Sequence, residues 1–110
     1  MASNLDEREY RLLCDRTMRA IDAAYEEIDP DLVESTIAQG ALTLLFAGGV
    51  RAIISPQPPV RQMWLAYRDR AWHFDWDGAR WIDDKDHVTE LYRQLETITK
   101  TATGQDVVIR

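Results

Sequence analysis

The sequence predicts an α+β fold: a two-layer α-β sandwich in which an antiparallel sheet of five to six strands is covered on one face by N- and C-terminal helices. Between residues 10 and 28, apolar side chains recur every three or four positions, which is typical of an amphipathic helix. The middle of the chain alternates apolar and polar residues between short turn signals, and the helical spacing returns after residue 88. With 110 residues, the chain is expected to form a single domain over residues 1–110.

The first helix is predicted to end at Asp29-Pro30, because the residue before a proline is pushed out of the α region. The only cysteine, Cys14, lies within the apolar face of this helix, so we expect a buried, inert thiol and no intrachain disulfide. The face comprises Tyr10, Leu13, Cys14, Thr17, Ile21, Ala24 and Ile28.

Strands are predicted over residues 32–37, 41–46, 50–54, 62–67, 72–76 and 80–82. Gly48-Gly49 and Asp77-Gly78 are hairpin turn signals between consecutive strands. The prolines of residues 55–59 predict a break that cannot lie inside a sheet. These short connections favour an antiparallel meander.

A second helix is predicted after the last hairpin, capped by Asp84 or Asp86 and ended by Gly104. Its predicted apolar face comprises Val88, Leu91, Tyr92, Leu95, Ile98 and Ala102. Residues 107–109 are predicted to form a short final strand or a tail.

The net charge of −6 disfavours nucleic acid and anionic membranes as partners, since both require a basic surface. It favours cations and basic protein surfaces. No apolar segment approaches the length of a membrane span, and the N-terminal residues resemble neither a signal nor a transit peptide. We therefore expect a cytoplasmic protein that binds neither nucleic acid nor membranes.

The most informative charge pattern is a run of acids, residues 22–34, that contains no Lys or Arg. In a helix extended to residue 29, four acids would lie within about 60° of one another on the helix surface: Asp15, Asp22, Glu26 and Asp29. Acids in the last turn lie at the negative end of the helix dipole, where cations are preferred. Such an unfavourable placement without structural compensation indicates a functional surface. We call this set the acidic ridge: Asp15, Asp22, Glu26, Glu27, Asp29, Asp31 and Glu34.

Carboxylate oxygens are suited to hard cations, including iron. The ridge has no EF-hand spacing and no His–carboxylate pair of the kind that holds a di-iron centre, so we expect weak metal binding and no enzymatic activity. A solvated charge run without function is the alternative interpretation.

A second candidate surface is the open face of the sheet. Met63, Leu65 and Tyr67 are predicted to face the helices, which places Gln62 and Trp64 on the opposite face. Tryptophan is enriched in interface hot spots, so the two residues are predicted to bind a partner. A half-buried Trp64 is the alternative.

Several ordered segments resemble the bacterial frataxins, a family of iron–sulfur cluster assembly proteins. They are Gln62-Met63-Trp64-Leu65-Ala66, Trp72-His73-Phe74-Asp75, Trp81-Ile82, residues 40–46 and residues 91–95. The resemblance covers nearly the whole chain. It departs from the family at Ser55, where an asparagine is common, and at Ala23 and Ala24, which thin the ridge.

The resemblance implies a regulator of cluster assembly that binds Fe2+ or Fe3+ weakly on the ridge. It also implies that the ridge, including Glu26 and Glu27, docks on a cysteine desulfurase, and that Gln62 and Trp64 contribute contacts in its complex with the iron–sulfur scaffold protein. His73 would be a second, weaker iron contact. We expect a monomer that can form metal-dependent oligomers. A ferroxidase-type or iron-storage activity and a metal-independent docking module are the alternatives.

Overall fold

The computed structural model describes residues 5–110, in which two helices pack on one face of a six-stranded antiparallel sheet. The elements in chain order are α1 (Glu7–Tyr25), β1 (Val33–Ala38), β2 (Ala41–Phe46), β3 (Arg51–Gln57), β4 (Gln62–Tyr67), β5 (Arg70–Trp76), β6 (Trp81–Asp83) and α2 (Leu91–Thr103). A short 3-10 helix, Pro58–Val60, joins β3 to β4. Strand order follows chain order, so the predicted sandwich and meander are confirmed. Neither described helix combines the length and apolarity needed to cross a membrane.

Helix α1 begins at a capping box, in which Asp6 and Glu9 exchange side chain to backbone hydrogen bonds. It ends at Tyr25, so the prediction that it continues to residue 28 is wrong. Beyond Tyr25, the N–H of Ile28 donates to the Tyr25 carbonyl at 3.1 Å in a tighter turn. The turn still packs Ile28 against the core, which explains why the apolar spacing continues past the helix.

Strand β3 runs through Pro56 to Gln57, so the prediction that residues 55–59 cannot lie in a sheet is wrong for its first three positions. The last β3 residue paired with β2 is Ile54, whereas pairing with β4 extends to Gln57. Neighbouring residues of a strand direct their N–H groups to opposite sides. The Gln57 N–H points toward β4 and donates to the Tyr10 hydroxyl. The nitrogen of Pro56 therefore points to the opposite side of β3, where the pairing with β2 has already ended at Ile54. Pro56 lacks an N–H, but beyond Ile54 no strand within residues 5–110 is paired with β3 on that side, so the sheet loses no hydrogen bond.

Helix α2 is capped by Glu90, whose carboxylate accepts from the Tyr92 N–H at 2.9 Å. The prediction of Asp84 or Asp86 as the cap is wrong, because the Asp86 carboxylate accepts from the backbone of Val88 and Thr89 in a separate turn. Val88 is 78% exposed, so it does not belong to the apolar face.

The other end of α2 lies close to expectation, with Gly104 in the left-handed conformation after its last residue, although Ala102 is exposed. The segment after Gly104 forms a tail in which Val107 and Ile109 are buried. Arg93 donates to the Ile109 carbonyl at 2.7 Å, and the Ile109 N–H donates to the Glu96 carboxylate at 3.0 Å. These two bonds from α2 hold the tail on the core.

Buried hydroxyl groups connect the helices to each other and to the sheet. Tyr10 donates to the carbonyl of Gln62 at 2.6 Å and accepts from the N–H of Gln57 at 2.8 Å, which ties α1 to β3 and β4. Tyr25 bonds Thr99 of α2. Cys14 is buried on the same helix, as predicted.

Replacing Tyr10 with Phe should lower the free energy of unfolding by about 1–3 kcal/mol, because the buried Gln62 carbonyl and the part-buried Gln57 N–H lose their partner. Urea denaturation followed by circular dichroism measures the change. Tyr67→Phe is the matched control, since the hydroxyl of Tyr67 accepts a hydrogen bond from Arg68 in an exposed position. Its effect should stay within about 0.5 kcal/mol. Equal effects of the two substitutions would contradict the role of Tyr10.

Stability should fall at alkaline pH. Burial raises the pKa of Tyr25 to about 12 from 10.0 and that of the Cys14 thiol to about 11 from 9.0. The unfolded chain therefore releases these protons first, so the stability present below pH 9 is lost progressively as the pH rises toward 12. Urea midpoints measured from pH 8 upward test this. Cys14→Ala should flatten the early part of the decline, and a midpoint independent of pH would show that neither proton is linked to unfolding.

Candidate functional site

One acid of the ridge, Asp22, lies at the seam between α1 and β1. The hydroxyl of Ser35 on β1 donates to Asp22 Oδ1 on α1 at 2.7 Å, and both residues are half-buried. This bond joins the helix to the edge strand of the sheet. Asp22 is therefore a fixed carboxylate, with one oxygen already engaged.

Glu26 and Glu27 follow at the C-terminal end of α1, where both are exposed. Glu26 is the C-cap residue, and its backbone N–H donates to the Asp22 carbonyl at 3.2 Å. The last turn of the helix contains no basic residue. Within the described residues, neither carboxylate has an ion-pair partner, so the negative end of the helix dipole meets two uncompensated charges.

Asp29 and Asp31 lie in the turn that leads to β1. The prediction that Asp29 continues the helical row is wrong, because α1 has already ended at Tyr25. Asp29 Oδ1 accepts from the Asp31 N–H at 2.9 Å, which stabilises the turn, and both residues are exposed. The two acids still extend the ridge from the helix end toward the edge strand.

The remaining two acids stand apart from this group. Asp15 pairs with Arg19 one helical turn away at 3.8 Å, which compensates part of its charge. Glu34 is exposed on β1, whereas its neighbour Val33 is buried under α1. Because neighbouring strand residues point to opposite faces, Glu34 faces the open side of the sheet and not the seam of Asp22 and Ser35.

No three His, Cys, Asp or Glu side chains of residues 5–110 are gathered closely enough to hold a metal ion. The ridge instead offers exposed carboxylates spread over a helix end, a turn and a strand. Such oxygen ligands fit hydrated divalent or trivalent cations that keep most of their water. The arrangement can also attract a basic protein surface over a longer range.

The open face of the sheet carries a hydrogen-bond network centred on Gln62. Its amide nitrogen donates to Asp75 Oδ1 at 3.1 Å and to Asp84 Oδ2 at 2.9 Å, while its oxygen accepts from the Trp64 indole N–H at 2.8 Å. Gln62 is only 9% exposed, so the prediction that it lies on the open face as an accessible contact residue is wrong in its exposure. Asp84 directly follows β6, and its N–H donates to the His73 carbonyl at 2.8 Å, which places its carboxylate beside the Gln62 amide.

Trp64 is half-buried and stacks on His73, with ring centroids 4.1 Å apart and planes 16° from parallel. Elsewhere on the open face, Ile53 is 40% exposed and Leu45 is 37% exposed. His73 on β5 lies four strand spacings, or about 19 Å, from β1. One metal ion therefore cannot bridge His73 and the ridge.

Sequence reasoning missed Asp75 and Asp84 as members of this network. The Asp77-Gly78 turn sets the register of β5 against β6, in which Phe74 pairs with Asp83. The same register places Asp84 opposite His73. The Asp77-Gly78 turn is therefore the sequence feature from which the position of Asp84 could have been predicted. The residue types around Asp84 indicate only a possible helix cap.

Comparisons with known proteins agree with this fold. Residues 3–105 match the frataxin-like domain family. The iron-sulfur cluster assembly protein CyaY of Dechloromonas aromatica is 33% identical over 106 residues, which cover 96% of this chain and 100% of that protein. The protein of the same name from Pseudomonas putida is 36% identical over 104 residues, covering 93% of each.

Two solved structures share the architecture. A frataxin from Psychromonas ingrahamii superposes with a TM-score of 0.87 at 27% identity, covering 94% of this chain and 97% of that one. A ferrous complex of trimeric frataxin from Saccharomyces cerevisiae superposes with a TM-score of 0.69 at 22% identity, covering 96% of this chain and 92% of that one. The chain belongs to the frataxin family, and its relatives include bacterial CyaY proteins.

Proposed function

We propose that the protein is an iron-binding regulator of iron–sulfur cluster assembly that docks on a cysteine desulfurase and its scaffold protein. The observation that carries the proposal is the uncompensated acidic end of α1 at Glu26 and Glu27. The CyaY relatives are iron–sulfur cluster assembly proteins, which supports it.

Iron in this proposal is a cargo held at the surface. Glu26, Glu27 and Asp31 present carboxylates that no other described side chain engages, and Asp29 and Asp22 each keep one oxygen free of a described bond. Spread ligands of this kind bind Fe2+ or Fe3+ weakly, through oxygens that replace only part of the hydration shell. The ferrous complex of the yeast frataxin is consistent with an iron-binding surface on this fold.

Docking uses the same acids in a second way. A basic patch on the desulfurase would meet Glu26 and Glu27 at the helix end, where their charges are exposed and unpaired among the described residues. Trp64 lies on the open face of the sheet, on β4, three strand spacings or about 14 Å from β1. Stacked on His73, it supplies an apolar contact to the scaffold. Iron on the ridge would compete with docking, since both neutralise the same carboxylates.

Fe2+ added under anaerobic conditions should shift backbone amide NMR signals of residues 22–31 at micromolar to millimolar metal. The reason is that the free carboxylate oxygens are concentrated there. The signal of His73 should move little at the same concentrations, because it lies outside the ridge. A titration that leaves residues 22–31 unshifted would contradict iron binding by the ridge.

Glu26→Lys/Glu27→Lys should weaken binding to the desulfurase by at least about tenfold, measured by pull-down and by titration at two salt concentrations, since two attractive charges become repulsive. Stability should not fall, because lysine at a helix C-terminus is favoured by the dipole. This separates loss of binding from loss of fold.

The matched control is Glu7→Lys/Asp69→Lys, which changes the net charge equally. Glu7 lies at the other end of α1 and Asp69 in the exposed turn between β4 and β5. The control should bind within about twofold of the original protein at physiological salt, since distant charges are screened. Equal loss in both variants would show that only net charge matters and that the ridge is not the docking surface.

A further inference from the structure

The amide of Gln62 connects both carboxylates of the open-face network to the indole of Trp64. Each of its two N–H donors meets a separate carboxylate, on Asp75 and on Asp84, and its oxygen accepts the indole N–H. Reversing the amide would place its oxygen against two carboxylates and its donors against another donor. The network therefore permits a single orientation of the Gln62 side chain.

The same contacts restrict Trp64. Its N–H is bonded to Gln62 at 2.8 Å and one ring face is covered by His73 at 4.1 Å. Rotation of the indole would break the bond and separate the stack. The ring is therefore held in one orientation before any partner arrives, with its N–H already used.

Gln62 itself is poorly placed to touch a partner, since it is 9% exposed and both of its amide hydrogens have acceptors. We propose that Gln62 is a positioning residue: clamped by Asp75 and Asp84, it fixes the Trp64 indole as a preorganised apolar contact for the scaffold. This inference rests on the proposed function, because it assumes that Trp64 docks. Preorganisation raises affinity by removing the cost of ordering a side chain on binding.

The test uses Gln62→Met, which keeps the length and apolar stem of the side chain and removes its donors and acceptor. The indole N–H signal of Trp64 is identified by its absence in Trp64→Phe, and its exchange with solvent is followed by NMR. Exchange should become about fivefold faster in Gln62→Met, the ratio expected for one lost hydrogen bond. Affinity for the desulfurase–scaffold complex should fall by a similar factor.

Gln57→Met is the matched control. Gln57 pairs with Gln62 across β3 and β4 and is half-buried, but its side-chain amide donates to Ser55 Oγ at 3.4 Å and takes no part in the Trp64 network. Neither indole exchange nor affinity should change in this variant. Asp84→Ala serves as a second test, should Gln62→Met fold poorly, because it removes one clamp and should loosen the same indole signal.

The outcomes separate the two proposals. Weaker binding with unchanged indole exchange in Gln62→Met would mean that Gln62 contacts the partner directly, which overturns the positioning role. Faster exchange with full affinity, while Trp64→Ala binds weakly, would also overturn it but leave the docking of Trp64 intact. Full affinity in Trp64→Ala would refute docking through the sheet face, and with it the inference.

Discussion

The Tyr10 hydroxyl is the contact on which both layers of the molecule depend. It lies between the Gln57 N–H and the Gln62 carbonyl, where β3 and β4 would otherwise end their pairing, so a helix side chain closes the sheet. Gln62 is therefore held through its backbone on the helix side and through its amide on the open side. The contact from α1 and the hydrogen bond to Trp64 therefore meet at one residue of β4.

Helix α1 thus serves two purposes at its two ends. Its first turns carry the capping box and Tyr10, which stabilise the fold, whereas its last turn carries acids against the dipole. Like charges four residues apart, such as Asp22 and Glu26, cost about a few tenths of a kcal/mol of helix stability. The buried contacts of the same helix, including the Tyr25 hydroxyl on Thr99, hold this end in place despite that cost.

Local pattern predicted the helices, the strand sequence and the buried Cys14, because burial on one face imposes a period of 3.6 or 2. It could not locate the end of α1, since the tight turn at Ile28 keeps the apolar spacing after the helical hydrogen bonds stop. It also placed Gln62 on the correct face but not at its true exposure. Asp75 and Asp84 enclose the Gln62 amide from positions distant in sequence, and periodicity does not encode such contacts.

The end of the β2–β3 pairing at Ile54, two residues before Pro56, has a consequence for the behaviour of the protein at high concentration. Past Ile54, β3 has an edge that no strand of the described chain covers, next to a sheet face that exposes Ile53 and Leu45. An edge of this kind can recruit a strand from another molecule. Proline at that position offers no N–H to such a strand, so the sheet is protected from edge-to-edge aggregation where its apolar surface would otherwise favour it.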